Sequence, residues 1–546
     1  MPHRRVVPEA EKGSCAWTQI LKRRLSKRGA RGGVRDFSMR VSPAIPPNLV
    51  ALFCVLSLAA TGVAQDKGSL REREAQYYRT ITIPTPEGVT FEAGALCFLA
   101  ADKLACASRL GDVWIAEGVL ADAPKPKWTQ FAGGLHEVLG LAVRPGDTDG
   151  WLYATQRCEV TRMRDTNGDG RADVFETVGD PWGISGDYHE YAFGSKFDRN
   201  GNMFVVLCLT GSFTSESPFR GWCIQISPDG KWTPICAGVR SPGGIGFNAD
   251  GDLFYTDNQG PWNGADKLQQ LLPGRFVGNP EGLKWFDRPE TKELIAAAGL
   301  KKSPTPESGG RLYQQAHKIP DLLPPSIYFP YPKMGQSGAG FVPDVTGGKF
   351  GVFDRQIFVG DQSHSTVMRV SLEKIDGHYQ GACYPFMQGF ASGSLGLEFA
   401  ADGSLIVFGT DRGWGARGGK PFALQRVVWS GAVPFEIHEM KLRADGFDLT
   451  FTEPVDPATA GKAESYSLET YTYVYQSSYG SPEVDKTAPK ILSVQVAPDR
   501  RSAHLVVDGL AEGHVHELHA AGVRSAKGAP LLHDAAYYTL FYFAAK

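Results

Sequence analysis

A histidine flanked by acids is the first candidate for chemistry in this chain. His189 lies between Asp187 and Glu190, and the apolar run Met203–Leu209 follows after a turn-rich stretch. A neutral imidazole can accept a proton from a hydroxyl group, and a neighbouring carboxylate can orient the ring and stabilise its charged form. Turn residues ahead of a short β-rich run predict a strand, so we expect His189 at the mouth of a rigid β scaffold. A hydrogen-bonded structural histidine is the alternative interpretation.

An acidic stretch earlier in the chain has the spacing of a calcium loop. Oxygen ligands at loop positions 1, 3, 5, 9 and 12 can surround a hard cation, and a glycine at position 6 permits the sharp turn. The flanking residues are typical of strands, so we expect a calcium loop without the usual helices. A solvated acidic turn is the alternative. The predicted calcium-binding residues are Asp165, Asn167, Asp169, Arg171, Asp173 and Glu176.

Two further segments place polar groups on either side of one strand. Arg240 and Ser241 precede a turn and a strand, and the segment 259–261, Gln-Gly-Pro, follows that strand. This segment turns sharply, so its backbone carbonyls are candidates to point into a central channel and bind a hard cation. By composition alone it is an ordinary loop.

A glycine-rich basic loop near residue 415 includes Arg412, Arg417 and Lys420. Guanidinium and ammonium groups on a flexible loop suit carboxylates or phosphates as ligands. A solvated surface loop is the alternative.

The elements that must position these residues repeat along the chain. An apolar residue, a turn with glycine at a fixed place and a short strand recur at residues 197, 247 and 399, with looser copies near 96, 141 and 341. Short strands in units of about 50 residues are typical of a β-propeller. We therefore predict an all-β protein whose residues 85–430 form six blades. A Pro- and Gly-rich insertion at about 285–335 includes one predicted helix, Pro289–Ala298.

The last part of the chain, residues 431–546, has alternating strands without this repeat. Segments such as Phe447–Phe451, Ala503–Val507 and Tyr537–Phe543 predict a small β-sandwich of immunoglobulin or fibronectin type. We expect this second domain to serve as support or attachment.

Residues 1–64 differ in composition from the rest. They carry 11 basic residues against three acidic ones, followed by the apolar run Leu49–Ala60 and a small-residue end. This order predicts a secretory signal, with Met39 as an alternative start. A retained membrane anchor is the other interpretation, although the apolar run is short for a membrane span. Residues 65–84 are predicted to be a linker, and the protein is expected to be exported, periplasmic or extracellular.

Charge and cysteine spacing exclude several classes of function. Without residues 1–64, 46 basic and 56 acidic residues remain, a net charge of about −10. An acidic protein binds polyanions poorly, so we do not expect a nucleic-acid partner. The seven remaining cysteines form neither CxxC nor CxxCH motifs, so neither a zinc knuckle nor an attached haem is predicted. Cys97–Cys106 and Cys223–Cys236 are candidate disulfides between adjacent strands, and small buried hydrophobes are the alternative.

These motifs, in this order, resemble the six-bladed propeller of soluble quinoprotein aldose dehydrogenases, the glucose/sorbosone dehydrogenase family, over roughly residues 85–430. In that family a histidine ahead of a turn-and-strand unit acts as base toward a sugar hydroxyl, and His189 matches it, with Asp187 beside it. The family's Arg-Asn-Pro-Gln-Gly run and Gln-Gly-Pro segment match residues 240–244 and 259–261. The resemblance implies oxidation of an aldose or a related carbohydrate hydroxyl with pyrroloquinoline quinone (PQQ) and Ca²⁺.

By that resemblance, the carbonyls of Gly260 and Pro261 hold the Ca²⁺ that polarises PQQ. Ser241 stands where the family has a quinone-binding Asn, and a Lys expected near Gln362 is absent. The residues implied to bind the cofactor are Arg240, Ser241, Gln259, Arg412 and Arg417.

The chain also resembles large exported bacterial propeller proteins with HEYAFG and DxNGDGxxD motifs and a trailing sandwich, many of which continue into a c-type haem domain. No haem motif occurs here, so we expect electrons to pass to a separate acceptor such as a cytochrome c. Two other functions stay open. One is a non-catalytic propeller that binds glycans or another protein, favoured by the two missing quinone contacts. The other is a metal hydrolase such as a lactonase, with Asp257 and Asn258 as candidate ligands.

Overall fold

The computed structural model of this chain describes residues 68–413 and 415–544. The predicted signal, including Met39, and Trp414 of the basic loop lie outside the described residues. Lys67–Lys546 form one compact unit. None of the helices in the described part has the length and apolar character that a membrane crossing requires. Strands dominate the chain, which confirms the all-β prediction.

Four-stranded antiparallel sheets follow one another as the blades of a propeller. The first elements of the described part are helix α1 (Leu70–Glu74) and strand β1 (Tyr78–Ile83). Blade 1 comprises β2 (Ala93–Ala100), β3 (Lys103–Ser108), β4 (Val113–Glu117) and β5 (Lys127–Ala132). Blade 2 comprises β6 (Gly140–Ala142), β7 (Leu152–Thr155), β8 (Val160–Arg164) and β9 (Val174–Gly179). Blade 3 comprises β10 (Ala192–Phe197), β11 (Met203–Leu207), β12 (Trp222–Ile226) and β13 (Trp232–Ala237).

The second half of the ring contains the insertion. Blade 4 comprises β14 (Pro242–Phe247), β15 (Leu253–Asp257), β16 (Asp266–Gln270) and, after the insertion that includes β17 (Gly310–Arg311), β18 (Ile327–Phe329). Blade 5 comprises β19 (Gly338–Pro343), β20 (Ile357–Asp361), β21 (Thr366–Ile375) and β22 (His378–Gln388). Blade 6 comprises β23 (Ser394–Phe399), β24 (Leu405–Thr410), β25 (Phe422–Trp429) and β1.

Each copy of the sequence repeat forms the hairpin between the first and second strands of one blade. In the copy at 247, Asn248 accepts the backbone amide of Asp250 at 3.0 Å, and Gly251 has a φ of 89°. The positive φ explains the glycine at a fixed place, because a side chain is strained in that conformation. The six repeats therefore correspond to six blades, as predicted.

The first strands of the blades, β2, β6, β10, β14, β19 and β23, contact one another in turn and close the ring around a central channel. Their glycines permit this close approach. A Cβ at Gly243 would lie 2.0 Å from the Gly338 carbonyl oxygen, and one at Gly340 would lie 2.5 Å from that of Leu395. Side chains at these positions would push neighbouring blades apart, so the glycines set the width of the channel.

The ring is closed by the start of the chain. Strand β1 pairs with β25 in antiparallel register from Tyr78 opposite Trp429 to Ile83 opposite Leu424. This segment lies within residues 65–84, where the sequence predicted a linker. The difference has a physical reason: β25 would otherwise expose an unpaired edge, and a strand from the other end of the ring satisfies its backbone groups. The pairing also ties the two ends of the propeller together.

The insertion in blade 4 lies between β16 and β18. It contains a 3₁₀-helix (Pro280–Phe286), helix α2 (Lys292–Ala297), β17 and helix α3 (Leu312–Lys318). Helix α2 falls within the predicted helical segment, and Ile295 is its buried anchor. The insertion thus adds small helices to one blade while the four-stranded sheet is kept.

The C-terminal strands form a sandwich whose two layers differ in origin. One layer contains β26 (Ile437–Arg443), β27 (Gly446–Phe451), β30 (Lys490–Val496) and β31 (Ser502–Asp508), and helix α4 (Pro457–Ala460) and a 3₁₀-helix (Ala463–Ser465) follow β27. The other contains β28 (Ser467–Tyr475), β29 (Glu483–Thr487), β32 (His514–His519) and β33 (Ala535–Leu540). Their facing residues share one core with Tyr384 of blade 5.

The second layer of the sandwich continues a propeller blade. Strand β33 pairs with β22, from Thr539 opposite Gly381 to Tyr537 opposite Cys383, and β17 of the insertion pairs with β28. Blade 5, the sandwich layer and β17 therefore form one nine-stranded sheet. A shared sheet is a stiffer connection than a linker between separate domains. The sandwich is therefore fixed against the ring.

The cysteines of the described residues are free thiols. Cys223 and Cys236 lie opposite each other on β12 and β13, whereas Cys97 lies opposite Ala105 rather than Cys106. Six of the seven are buried. In this structure, the six buried cysteines therefore match the second interpretation of the sequence, that of small buried hydrophobic residues.

Candidate functional site

A polar cavity of about 310 Å³ opens at one mouth of the central channel. Its wall combines loop residues ahead of the first strands with residues at the ends of second strands. Four residues predicted from the sequence line it: His189, Arg240, Ser241 and Gln259. We call residues 185–191 the histidine wall, and residues 240–241 with 257–261 the arginine wall.

His189 lies on the loop ahead of β10 and is partly buried. Burial lowers the pKa of His189, and nearby Arg240, Arg157 and Arg109 lower it further, while Asp187 acts in the opposite direction. The His189 Nδ1 lies 3.9 Å from Asp187 Oδ1. A lowered pKa keeps the imidazole neutral near pH 7, which a proton acceptor requires.

Asp187 organises the backbone around the histidine. Its Oδ1 accepts hydrogen bonds from the amides of His189 and Gly211, both at 2.8 Å. The predicted pairing of Asp187 with His189 therefore occurs through the backbone, with the ring at a longer distance. Asp187 itself does not line the cavity.

The histidine wall is held by buried charges from blades 1 and 2. The Glu137 carboxylate forms ion pairs with Arg109, at 2.6 Å from Nη2, and with Arg157, at 2.5 Å from Nε. All three side chains are buried. Arg157 Nη1 donates to the Asp187 carbonyl at 2.6 Å. The two guanidiniums lie 5.0 and 5.5 Å from the centre of the Tyr191 ring. This network fixes the loop on both sides of His189.

Glu190, the other acid considered as a partner for His189, has a structural role. It is fully buried and accepts hydrogen bonds from the Ser185 amide at 2.6 Å and the Thr210 hydroxyl at 2.7 Å. Arg220, also fully buried, donates to the carbonyls of Glu190 and Tyr191, both at 2.9 Å. Burial lowers the pKa of Arg220 to about 10.

Arg240 is the central residue of the arginine wall. It is buried, with Nε donating to the Ser212 carbonyl at 3.0 Å and Nη1 to the Gln259 carbonyl at 2.6 Å. Among the described residues, none accepts a hydrogen bond from Nη2. A Cβ on Gly260 would lie 2.0 Å from Arg240 Cζ, so only glycine leaves room for the guanidinium there.

Buried carboxylates fix the backbone of the arginine wall. Asp257 accepts the amides of Arg240 at 3.2 Å and Ser241 at 2.7 Å. Asp266 accepts the amides of Gln259 at 2.7 Å and Gly338 at 2.8 Å. Burial, followed by repulsion from Asp361, raises the pKa of Asp266 to about 7. Asp257, considered as a metal ligand, is thus engaged by the backbone.

The two carbonyls predicted to bind calcium are engaged elsewhere. The Gly260 oxygen accepts the amides of Asn263 at 3.0 Å and Gly480 at 3.1 Å, and the Pro261 oxygen accepts Asn279 Nδ2 at 3.1 Å. Neither Gly260 nor Pro261 lines the cavity. This placement differs from the prediction. A loop from the C-terminal part of the chain engages the Gly260 carbonyl through Gly480, and Asn279, just ahead of the 3₁₀-helix of the insertion, engages that of Pro261.

That loop, residues 476–481, also contributes to the cavity. Its Gln476 carbonyl accepts the Trp262 amide at 2.7 Å, and Tyr479 forms a β-bridge with Pro261. Tyr479 lines the cavity, together with Phe213 of the loop after β11. Sequence reasoning missed Tyr479 because it lies in the predicted support domain, and nothing in its neighbourhood pointed to a site.

Other cavity residues were missed or expected in another role. They carry guanidinium, amide or phenol groups and lie at strand ends of blades 1, 4 and 5: Arg109, Asn258, Tyr331, Gln336 and Gln362. Of these, only Asn258 was named from the sequence, as a candidate hydrolase ligand. Its Oδ1 is buried and has no partner in the described structure. The sequence could have indicated these residues only by their position, since each of them lies near the end of a first strand or of the strand next to it.

The predicted basic loop lies beside the cavity without lining it. Arg412 pairs with Glu92 at 2.7 Å, and Arg417 is exposed. Gln362 Nε2, in the cavity wall, donates to the Arg412 carbonyl at 2.9 Å. The loop therefore supports the wall through its backbone, and the guanidiniums of Arg412 and Arg417 do not line the cavity.

The predicted calcium loop joins β8 to β9. Asp165 accepts the amides of Asn167 at 3.1 Å, Gly168 at 2.7 Å and Gly170 at 2.7 Å, so the loop is wrapped around its first residue. Glu176, predicted as the last ligand, instead binds Arg162 across the strands at 2.5 Å. Among the described residues, no group of three or more His, Cys, Asp or Glu is arranged to hold a metal. Calcium binding by the remaining residues of the loop stays a prediction.

Neither a protein-family model nor a curated protein matches the sequence. Solved structures that the chain is similar to include the PQQ-bound aldose sugar dehydrogenase of Streptomyces coelicolor and the holo PQQ domain of pyranose dehydrogenase of Coprinopsis cinerea. A third is the calcium structure of a carbohydrate-active enzyme of Trichoderma reesei.

Sequence identities to these three are 14%, 12% and 12%, and the TM-scores are 0.46, 0.43 and 0.45. The similarity covers 65%, 64% and 65% of this chain and 98%, 95% and 96% of theirs. The roles of the residues in this chain therefore rest on its own geometry.

Proposed function

We propose that this protein oxidises a hydroxyl group of an aldose or related carbohydrate in the channel-mouth cavity, with PQQ as the electron acceptor. One observation carries the proposal: an imidazole with a lowered pKa and two buried guanidiniums line the same small polar cavity. The imidazole suits proton removal from a hydroxyl, and the guanidiniums suit an anionic acceptor.

The arginines fit the carboxylates of PQQ. Arg240 already uses Nε and Nη1 on carbonyl oxygens, which orients the group and leaves Nη2 for a ligand. Arg109 is fixed by Glu137 and adds positive charge on the opposite wall. When bound, PQQ supplies a two-electron acceptor. The Gly260 and Pro261 carbonyls do not fit a calcium ion, so the proposal assigns them no part in the reaction.

His189 would hold the proton taken from the carbohydrate hydroxyl. Its Nδ1 is the ring nitrogen nearer to Asp187, so we assign the hydroxyl proton to Nε2. The charge that forms on the ring would be balanced by Asp187, while Arg157 keeps the loop in place. Because burial and three arginines lower the pKa of His189, activity should decline only below the ordinary titration range of histidine.

Reconstitution of the protein with PQQ and Ca²⁺, followed by sugar-dependent dye reduction, tests the proposal. Calcium is included because the loop Asp165–Glu176 is predicted to bind it. His189→Gln should retain PQQ binding and lose dye reduction by about 100-fold or more, as expected for loss of a general base. His317→Gln, an exposed histidine on α3, is the matched control and should match the wild type. Absence of PQQ binding to the wild type would reject the proposal.

A second candidate is a non-catalytic propeller that binds glycans or another protein. The carbonyls of Gly260 and Pro261 already accept hydrogen bonds from other parts of the protein, so the predicted calcium site next to the cofactor is lost. This observation favours the non-catalytic function. Sugar binding in calorimetry without PQQ binding would support this candidate. The same titrations therefore decide between the two functions.

Export and a separate electron acceptor belong to the same proposal. The basic, apolar and small-residue order of residues 1–64 supports export. The test of export is whether the protein is found in the periplasm or medium and whether deletion of Leu49–Ala60 abolishes this.

The test of the electron acceptor uses the same activity assay. Activity with a soluble cytochrome c in place of the dye would support a separate protein as the electron acceptor.

A further inference from the structure

Two exposed aromatic side chains stand at the rim of the cavity. Phe213 is 51% exposed and Tyr479 is 57% exposed, and their ring centres lie 6.2 Å apart. Both line the cavity. Large aromatic groups are usually buried, so an exposed pair beside a polar cavity indicates a surface that is covered when a ligand binds.

Both rings are positioned by the same buried cation. The Arg240 Cζ lies 5.9 Å from the centre of the Phe213 ring and 5.2 Å from that of Tyr479. A guanidinium near an aromatic ring interacts favourably with its electron-rich face. Arg240, which lines the cavity, therefore also supports the aromatic pair at its rim.

Tyr479 is held by its backbone, so its exposed ring is not a feature of a loose loop. Its β-bridge to Pro261 and the bond from the Gly480 amide to the Gly260 carbonyl at 3.1 Å fix the loop. Gln476 Nε2 closes it by donating to the Gly480 carbonyl at 3.0 Å. A ring on a fixed backbone loses little conformational entropy when a ligand covers it.

The cavity is small compared with a chain-like ligand. Its volume of about 310 Å³ is at the lower end of ligand pockets, which range from roughly 300 to 1,000 Å³. A ligand of several sugar rings must therefore continue past the rim, where Phe213 and Tyr479 lie. The C–H face of a sugar ring is weakly positive and apolar, and so complements the electron-rich face of an aromatic ring.

We propose that Phe213 and Tyr479 form a stacking subsite for the second sugar ring of an oligosaccharide whose terminal ring occupies the cavity. The preferred ligand is then a carbohydrate chain, and the C-terminal part of the protein selects it through Tyr479. This inference rests on the proposed carbohydrate function, but it does not require PQQ or turnover.

Calorimetric titration with monosaccharides and their matching trisaccharides tests the subsite. The probes are glucose with cellotriose and maltotriose, xylose with xylotriose, and mannose with mannotriose. For at least one pair, we expect the trisaccharide to bind about tenfold more tightly than the monosaccharide, the size of effect seen for stacking on an aromatic platform. Tyr479→Ala should reduce this ratio to about one, because it weakens trisaccharide binding more than monosaccharide binding.

Control variants separate stacking from other effects. Tyr479→Trp should keep the tenfold ratio because it keeps an aromatic face. Phe175→Ala removes an aromatic residue of similar exposure, 47%, from the outer strand of blade 2 and should have no effect. If Tyr479→Ala misfolds, Phe213→Ala provides the same test from the opposite side of the subsite.

The outcomes distinguish this inference from the proposed oxidation. Equal affinities for monosaccharides and trisaccharides would overturn the subsite, even if dye reduction occurs. A chain-length preference that Tyr479→Ala removes would support it, even if PQQ does not bind. A preference that survives both alanine variants would also overturn it. Absence of binding by any of these sugars would overturn the subsite, and the oxidation would still be decided by PQQ binding and dye reduction.

Discussion

The two walls of the cavity are held in different ways. The histidine wall is held by buried ions that come from the neighbouring blades, chiefly Glu137, Arg157 and Arg220. The arginine wall is held by buried carboxylates and by a loop, residues 476–481, that lies far later in the chain. One wall therefore depends on charge pairing inside the ring, and the other depends on the docked sandwich.

This difference teaches where the site is sensitive to change. Buried ion pairs are costly to break because a lone charge remains in a region of low polarity. A loop contact between two backbones can be weakened by smaller changes, since its hydrogen bonds contribute modestly one by one. The following predictions test this contrast, beginning with the largest effect.

Glu137→Leu should have the largest effect, because it leaves the buried guanidiniums of Arg109 and Arg157 without their carboxylate. We expect a loss of about 3–5 kcal/mol in the free energy of unfolding, measured by urea denaturation. Glu117→Leu is the control, since its pair with Lys103 is exposed and should cost less than about 1 kcal/mol. Equal losses in the two variants would show that the histidine wall does not depend on this network.

Gly260→Ala tests the arginine wall at its tightest contact. The added methyl group would lie 2.0 Å from Arg240 Cζ and must displace the guanidinium, at a cost of about 1–3 kcal/mol in stability. PQQ affinity should fall with it, because Arg240 is the proposed carboxylate ligand. Gly415→Ala, where a Cβ would meet no atom within 4 Å, is the control. Unchanged PQQ affinity in Gly260→Ala would remove Arg240 from the proposed site.

Gly480→Ala tests whether the sandwich loop shapes the same wall. Gly480 has a φ of +62°, and a Cβ there would lie 2.8 Å from the Gln259 side chain. Gly528 has a φ of +84° and no atom within 4 Å, so Gly528→Ala carries the backbone strain alone. We expect Gly480→Ala to be about 1 kcal/mol less stable than Gly528→Ala in thermal unfolding and to lose chain-length preference. Equal behaviour of both variants would separate the loop from the cavity.

The last prediction concerns a pH dependence of the arginine wall. Burial raises the pKa of Asp266 to about 7, above its value of 3.8 in an unfolded chain. The folded state therefore holds a proton that the unfolded state has released, and stability should decrease as the pH rises from about 4 to 7. The difference in unfolding free energy between the wild type and Asp266→Asn should shrink over this range. A constant difference would contradict the raised pKa.

Much of the fold could be predicted from the sequence because its signals are local. The three clearest repeats place a glycine where the hairpin turn needs a positive φ, at Gly201, Gly251 and Gly403, and an apolar run where a strand begins. Six such hairpins predict six blades. The closing strand β1 carried no comparable signal, because it follows no turn of the repeat and gains its place only by pairing with β25.

The candidate site was predictable on one wall more than on the other. His189 was identified because acids and a strand adjoin it in the sequence, and it does line the cavity. Gly260, Pro261, Arg412 and Arg417, expected to bind calcium or the cofactor, do not line the cavity. Glu92 pairs with Arg412, and Gly480 and Asn279 donate to the carbonyls of Gly260 and Pro261, and no local pattern reveals these partners.

The amino-acid sequence alone determined the number of blades, the sandwich after them and the position of His189 ahead of a strand, because these follow from turn chemistry and hydrophobic alternation over short stretches. Only the tertiary structure decided that β1 completes the last blade, that β33 extends blade 5, and that Tyr479 reaches the cavity. These are contacts between segments far apart in the chain. Their partners are chosen by backbone hydrogen bonding at open strand edges and by the burial of apolar faces, which depend on the folded shape.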